Sequence, residues 1–280
     1  PAFLIEIWIA KMLHRDQSGN IVFHTGLVFF AICSLLVGAF VLALSKGAVP
    51  LSIISILEGS ASSLEITIFN QIRAPRVLLA GMVGASLSVS GAVLQGLFRN
   101  PLADPGLIGV SGGAALGAVA MIVFGSGLAI PEVISPYAMP VSAVFGAMLV
   151  TLFLYSFSAY YGQFSIVTVL LVGIAINALS TVGIGVFQYM SDDAQLRTLV
   201  FWMMGSFGRA NWITVLPSIF VMLAAITILI AQSRQLDRLQ LGEAEAFFLG
   251  VRVNKLKRLI ILVSAICVGA GVALSGIIGF

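Results

Sequence analysis

Two neighbouring runs contain no charged side chain: VLLAGMVGASLSVSGAVLQGLF at residues 77–98 and LIGVSGGAALGAVAMIVFGSGL at residues 107–128. Each run is long enough to cross a bilayer as a helix, which needs about 20 apolar residues. A segment in the hydrocarbon core must satisfy its own backbone hydrogen bonds, so both runs are expected to be helical. The fold class predicted from them is an all-α membrane protein.

The same pattern recurs along the 280 residues. Charge-free windows of 29, 59, 24 and 22 residues follow Asp16, Glu132, Arg209 and Arg258, and the window of 59 has room for two spans. Only 9% of the residues are charged, against about 25% in a soluble domain. Seven spanning helices are therefore predicted, at residues 25–45, 77–98, 107–128, 137–158, 166–189, 212–231 and 259–280.

Basic residues predict the orientation of these spans. Six of the fourteen Lys and Arg residues lie within residues 234–258, which places this loop in the cytoplasm under the positive-inside rule. Because the other basic residues are scattered at span ends, nucleic-acid binding is not expected. Counting back through the spans puts the N-terminus inside. It also predicts outer segments at 46–76, 129–136 and 190–211, an inner turn at 160–163 and an inner interfacial helix at 3–13.

An internal similarity links two spans. Gly84-Ala-Ser-Leu-Ser-Val-Ser-Gly91 resembles Gly269-Ala-Gly-Val-Ala-Leu-Ser-Gly276, and the orientation count makes the two copies run in opposite directions, as in an inverted-topology repeat. Chance is the alternative, because Gly, Ala and Ser are common in membrane helices. If the repeat is real, its second copy has only begun at Phe280, and the chain is expected to be a fragment of a longer protein.

Between the two quoted runs lies a polar turn, Arg99-Asn-Pro-Leu-Ala-Asp-Pro-Gly106. Pro101 and Pro105 disfavour helix at the residue before each of them, while Asn100 and Asp104 can bond the freed backbone groups. Two interpretations stay open. The segment is either a well-capped turn or irregular backbone that lines a cavity or a gate.

Few residues point to chemistry. Gly109, Gly113 and Gly117 have the spacing of close helix packing. The match of Gly109-Val-Ser-Gly-Gly113 to a nucleophile pattern lacks the downstream histidine and the leading strand that such a site needs. Zinc-protease and P-loop motifs are absent from the sequence, and so are paired acids within the spans, which weakens an ion-coupled carrier. We expect no catalytic residue, no metal site and no cofactor; a membrane enzyme centred on Ser111 is the weaker alternative.

A second polar segment, Leu241-Gly-Glu-Ala-Glu-Ala-Phe-Phe-Leu-Gly-Val251, carries an apolar cluster within the basic loop. Glu243 and Glu245 would begin a short helix and Gly250 would end it. One interpretation is a helix lying on the lipid surface. The other is a knob that docks into the groove of a cytoplasmic partner.

These residues together resemble the permease subunits of bacterial ABC importers for ferric siderophores, haem and vitamin B12, the FecCD-type family. The resemblance runs from about residue 70 to the end. It rests mainly on Arg99-Asn-Pro-Leu-Ala-Asp-Pro105, supported by Arg73-Ala-Pro-Arg76, Phe201-Trp-Met-Met-Gly205-Ser206 and Leu241-Gly-Glu243.

The resemblance implies a transport subunit, not an enzyme. Its members have ten spans, of which seven would be present here around an inverted-repeat core, and residues 1–280 would form a single permease domain. They form homodimers in the bacterial inner membrane, bind two ATPase subunits at the cytoplasmic face and receive substrate from a periplasmic binding protein. ATP hydrolysis would then occur on another subunit.

The resemblance also implies residue roles. Arg73 and Arg76 match outer-face arginines that pair with glutamates of the binding protein. Asn100 and Leu102 match a cytoplasmic gate. Segment 234–252 matches the helices that couple the permease to the ATPase, with Gly242, Glu243, Phe247, Leu249 and Gly250 as its contact residues. The expected substrate is an iron chelate, either haem or a ferric siderophore; the alternatives are vitamin B12 and an ATP-independent secondary carrier.

Overall fold

The computed structural model describes residues 20–160 and 166–279, in which helices and connecting turns occur without any strand. Seven helical stretches are long and apolar enough to cross a membrane, which confirms the predicted number of spans and the all-α class. The predicted interfacial helix at 3–13 and most of the turn at 160–163 lie outside the described residues. The helices are α1 (Asn20–Ser45), α2 (Ile53–Leu57), α3 (Ser63–Thr67), α4 (Ala74–Phe98), α5 (Val110–Phe124), α6 (Ser135–Tyr160), α7 (Ile166–Met190), α8 (Asp193–Met203), α9 (Trp212–Ala231), α10 (Ser233–Gln240), α11 (Glu243–Phe248) and α12 (Val253–Ser275).

The second span begins earlier than predicted. Helix α3 starts at a capping box between Ser62 and Glu65 and continues through a π-helical turn, Ile68–Arg73, into α4. Pro75 explains the wide turn, because it has no N–H to give to the preceding turn. Ala74 donates its N–H to the carbonyl five residues back, so in this register the carbonyl of Asn70 faces Pro75. The indole N–H of Trp212 donates to that carbonyl instead, at 2.7 Å.

The last span was predicted to begin at residue 259, and this is wrong by about two turns. Helix α12 begins at Val253 and carries Lys255, Lys257 and Arg258 in its first turns. A search for uncharged segments cannot assign these three charged residues to the helix. The charges are tolerated because they lie at the aqueous end of the span and because Lys257 is paired, as described below.

Helix α12 lies at the centre of the bundle and packs against α4, α5, α6 and α9. Two-thirds of its apolar window, 67%, is buried, against 39% or less for the other six spans. Its similarity partner, α4, is one of its neighbours: a Cβ on Gly271 would lie 3.5 Å from Val83. The two similar segments therefore face one another across the core.

Glycines let α5 and α6 approach closely. A Cβ on Gly113 would lie 2.7 Å from the carbonyl oxygen of Gly146. A Cβ on Gly117 would collide with the carbonyl of Ser142, and one on Gly146 with the carbonyl of Gly113. Because these obstacles are backbone atoms, neither helix can yield to a larger residue. The predicted packing role of the glycine spacing is confirmed at Gly113 and Gly117.

Candidate functional site

The polar turn at residues 99–106 is ordered by its own side chains. Arg99 ends α4 in the left-handed conformation, with φ of 51°. The side-chain oxygen of Asn100 accepts the N–H of Leu102 at 2.9 Å, and the Asp104 carboxylate accepts the N–H of Gly106 at 2.6 Å. Leu102 is left 84% exposed at the tip of the turn. The turn thus has the capping chemistry that the sequence predicts, and it presents one apolar side chain outward.

Helix α7 holds the far end of this turn. The side-chain amide of Asn177 donates to the carbonyl of Gly106 at 2.8 Å. A Cβ on Gly109 would lie 3.0 Å from the carbonyl oxygen of Gly173. The turn is therefore positioned between α4 and α7 and does not hang freely in solvent.

Segment 234–252 forms a compact unit built from α10 and α11. Gly242 and Gly250 bracket α11 with φ of 140° and 84°, values that other residues adopt only with strain. Ala246 is fully buried beneath the helix, whereas Phe247, Phe248 and Leu249 are exposed, Phe248 to 86%. The short helix thus turns its small residue inward and its large apolar residues outward.

Two hydrogen bonds join the polar turn to segment 234–252. The guanidinium of Arg99 donates to the carbonyl of Leu239, at the C-terminal end of α10. In the opposite direction, the side-chain amide of Gln240 donates to the carbonyl of Gly96 at 2.6 Å, at the end of α4. Each side chain bonds a carbonyl in the last turn of the other helix, where the regular partner four residues on is missing and only a backbone N–H three residues on is also bonded. We call this reciprocal pair the clasp.

An ion pair joins the same segment to the central helix. The ammonium of Lys257 lies 2.6 Å from a carboxylate oxygen of Glu243, and the two side chains are 4% and 52% exposed. Lys257 is on α12, and Glu243 is the first residue of α11. A buried ammonium is costly unless it is paired. The pair therefore fixes the start of α11 on the central helix.

At the opposite end of the bundle, Arg73 is only 8% exposed. Its guanidinium donates to the carbonyls of Leu44 and Ser45, each at 2.8 Å, and to that of Val49. The first two carbonyls belong to the last turn of α1, where a cation is favoured by the helix dipole. This guanidinium is hydrogen-bonded within the chain, whereas the family resemblance implies that it pairs with a glutamate of the binding protein.

Arg76 is exposed, one turn further along. It donates to the carbonyl of Gly208 at 2.9 Å, in the loop that follows α8. Nearby, the N–H of Ser206 donates to the carbonyl of Ser275 at 2.6 Å, so the segment Phe201–Ser206 lies against the end of α12. These contacts join helix ends that the predicted orientation places on the outer side of the membrane. The clasp joins helix ends that the same orientation places on the cytoplasmic side.

The alternative site at Ser111 gains no support from its surroundings. Its glycine neighbours pack against other helices: a Cβ on Gly112 would collide with the side chain of Asn177, and Gly113 abuts α6. Among residues 20–160 and 166–279, no three His, Cys, Asp or Glu side chains come together as metal ligands would.

The clasp and the Lys257–Glu243 pair were not predicted from the sequence. The partners are 140 or more residues apart in the clasp and 14 apart in the ion pair. The ion pair had only a weak local cue, the basic run Lys255-Leu-Lys-Arg258 at a helix start close behind Glu243. The carbonyl acceptors of the clasp have no sequence signature at all.

Comparison with known proteins shows which proteins this chain is similar to. The FecCD transport family matches residues 35–280. The hemin transport system permease protein HmuU of Yersinia pestis is 44% identical over 236 residues, which cover 84% of this chain and 70% of that protein. The vitamin B12 import system permease protein BtuC of Vibrio cholerae is 41% identical over 219 residues, 78% of this chain and 64% of that protein.

A third relative, the molybdate import system permease protein MolB of Haemophilus influenzae, is 38% identical over 264 residues, 90% of this chain and 75% of that protein. A solved structure of a metal-chelate type ABC transporter in an inward-facing conformation superposes with a TM-score of 0.79 at 34% identity, covering 91% of this chain and 77% of that one. These relatives are multi-pass transport subunits and not enzymes. The chain belongs to the FecCD transport family, as a permease of an ABC importer that works with ATPase and substrate-binding partners.

Proposed function

We propose that this chain is the transmembrane permease of an ATP-driven importer that carries an iron chelate, either haem or a ferric siderophore, across a bacterial inner membrane. The observation that carries the proposal is the clasp, because it ties a candidate gate directly to a candidate ATPase-docking segment. Membership of an ABC importer family decides against the ATP-independent carrier.

The ATPase docks on segment 234–252. Exposure of Phe247, Phe248 and Leu249 on one short helix supports this role, since an apolar cluster in an aqueous loop is stabilised when a partner's groove covers it. The helix itself is held from behind by buried Ala246 and by the Lys257–Glu243 pair. A push on the cluster therefore moves α10, α11 and the start of α12 together.

The same push reaches the gate through the clasp. Arg99 and Gln240 connect the end of α10 to the end of α4, from which the polar turn projects. Leu102 at the tip of the turn, positioned by Asn100, closes the pathway at the cytoplasmic end. An exposed leucine can seal a pathway only against a second apolar surface, which a second copy of the chain supplies. The working unit is therefore a homodimer with two ATPase subunits.

The binding protein docks at the opposite end, and of the two arginines that match the family's docking positions, Arg76 is exposed and Arg73 is buried. An exposed ion pair contributes only about 0–1 kcal/mol, so Arg76 serves orientation and association rate more than affinity. Arg73 supports the same surface from beneath by holding the end of α1. The docking role of Arg73 itself stays a prediction.

The substrate class rests on the relatives. The HmuU permease is named for hemin and the solved structure for a metal chelate, which supports an iron chelate. Vitamin B12 is the second candidate, because the Vibrio cholerae BtuC protein is 41% identical. Both are large metal chelates, so the size of the substrate does not separate them.

Reconstitution tests the proposal. Proteoliposomes would hold the permease with its ATPase and be supplied with the binding protein and radiolabelled haem, a ferric siderophore or cobalamin. We expect ATP-dependent uptake of an iron chelate and none with an ATPase that cannot hydrolyse ATP. Uptake of cobalamin alone would overturn the substrate class, and uptake with the inactive ATPase would overturn the energy source.

A further inference from the structure

A basic pocket lies between α10 and the start of α12, beside the segment that carries the apolar cluster. Its volume is about 420 Å³, and three cationic side chains line it: Arg238, Arg252 and Lys255. All three are exposed. The side-chain amides of Gln232 and Gln235 complete its polar wall, and no carboxylate is among its lining residues. A pocket with three cations and no acid is complementary to an anion.

An apolar groove adjoins this pocket. It has a volume of about 890 Å³ and shares Arg252, Lys255 and Leu259 with the basic pocket. From there it follows α12 past Arg258, Leu262 and Val263, and Leu152 of α6 also lines it. The eight residue steps from Lys255 to Val263 correspond to about 12 Å along a helix. The groove therefore reaches well into the hydrocarbon half-layer, which is about 15 Å thick.

We propose that the pocket and groove together bind one anionic phospholipid. Its phosphate lies among Arg238, Arg252 and Lys255, and its acyl chains follow α12 along Leu259, Leu262 and Val263. Arginine donates to phosphate oxygens in a bidentate manner, and basic pockets beside spanning helices on the cytoplasmic side suit phospholipid head groups.

The groove favours lipid over a contact with the ATPase. Its apolar walls lie on α12 within the span Val253–Ser275, a depth that a soluble subunit does not reach. The basic lining residues Arg252, Lys255 and Arg258 lie near the start of α12, and the apolar Leu262 and Val263 follow them along the helix.

The site has a consequence for coupling. Arg238 donates to the carbonyl of Leu249 at 3.3 Å, and Phe247 is one of the residues that line the groove. A lipid in the groove would therefore support α11 from the membrane side. Loss of the lipid would loosen the apolar cluster without changing its residues.

Native mass spectrometry of the purified full chain, with and without its ATPase, tests the site. The probes are phosphatidylglycerol, phosphatidylcholine of the same chain length, and inorganic phosphate. Each basic residue near a membrane surface contributes roughly a fivefold preference for anionic lipid, so three give about a hundredfold preference for phosphatidylglycerol. We expect Arg252→Gln/Lys255→Gln to lose most of it, and Arg234→Gln, on α10 outside both cavities, to keep it.

Three results would overturn the proposal. The first is equal retention of the two lipids by the wild-type chain. The second is displacement of phosphatidylglycerol by inorganic phosphate at similar concentration, which would mean that the groove adds nothing. The third is a double variant that keeps its lipid but no longer binds the ATPase, which would assign the basic pocket to the protein interface. A thermal unfolding measurement, with Lys255→Gln alone as a second variant, separates these results from misfolding.

Discussion

Breaking the clasp at Arg99 should reduce import without stopping ATP hydrolysis. Arg99→Ala removes the guanidinium that bonds the carbonyl of Leu239. A hydrogen bond from a charged group contributes about 1.5–3 kcal/mol, and the exposure of Arg99 puts this bond at the lower end. A loss of about 1.4 kcal/mol corresponds to a tenfold change in an equilibrium constant. We therefore expect the substrate imported per ATP hydrolysed to fall by up to about tenfold.

Arg99→Gly is the matched control for the backbone. Arg99 has φ of 51°, which costs a residue with a side chain roughly 1–2 kcal/mol relative to glycine. The glycine variant should be more stable than the alanine variant and yet lose as much import, while Arg99→Lys should restore part of it. Gln240→Ala should act in the same direction, about fivefold, since a neutral bond contributes roughly 1 kcal/mol.

The assay is uptake and phosphate release measured in the same proteoliposomes. Because both bonds hold one contact, the double variant Arg99→Ala/Gln240→Ala should lose less than the sum of the single losses. Normal import per ATP in Arg99→Ala would refute the clasp as a coupling element. Normal import in Arg99→Gly alone would show that backbone strain, and not the hydrogen bond, is what matters.

Three further changes test other parts of the account. Arg76→Glu should slow association with the binding protein several-fold at low salt and little at high salt, as measured by surface plasmon resonance. Arg73→Ala should instead lower the free energy of unfolding by about 1.5–3 kcal/mol. A loss of stability in Arg76→Glu would count against a docking role for Arg76. Phe248→Asp should weaken ATPase binding about 10- to 100-fold, from the loss of roughly 1.5–3 kcal/mol of apolar burial; unchanged co-purification would remove the docking role. Gly146→Ala should lower the free energy of unfolding in detergent by about 1–3 kcal/mol, because its Cβ would collide with the backbone of α5. The control is Gly185→Ala, whose Cβ would have no atom within 4 Å and which should leave stability unchanged. Equal effects of the two variants would contradict the packing described for α5 and α6.

The number and class of the spans could be predicted because a bilayer imposes length and apolarity on every spanning helix. Span ends were predicted less well where charge is tolerated by a specific contact. Lys257 is the clearest case, since this buried ammonium is paired with Glu243 in the first turns of α12. The Ser62–Glu65 capping box marks the early start of the second span. A search for uncharged windows does not detect it.

The residues of the candidate site were partly predictable. The polar turn and the apolar cluster stand out because prolines and large apolar residues are unusual in such places. What joins them does not stand out: Gln240 and Arg99 reach backbone carbonyls, and a carbonyl is present at every residue. The position of Arg73 was equally hidden, because an arginine beside the end of a distant helix looks the same in sequence as one facing solvent.

The central claim is that an ATPase holds the cytoplasmic end of this chain at α11. A photo-crosslinking amino acid at position 248, where Phe248 is 86% exposed, tests it directly in the assembled importer. Irradiation should join the chain to the ATPase subunit, while the same probe at Tyr189, 92% exposed at the opposite end, should not. Crosslinks from position 248 to lipid or to the binding protein alone, with the ATPase unmodified, would contradict the account.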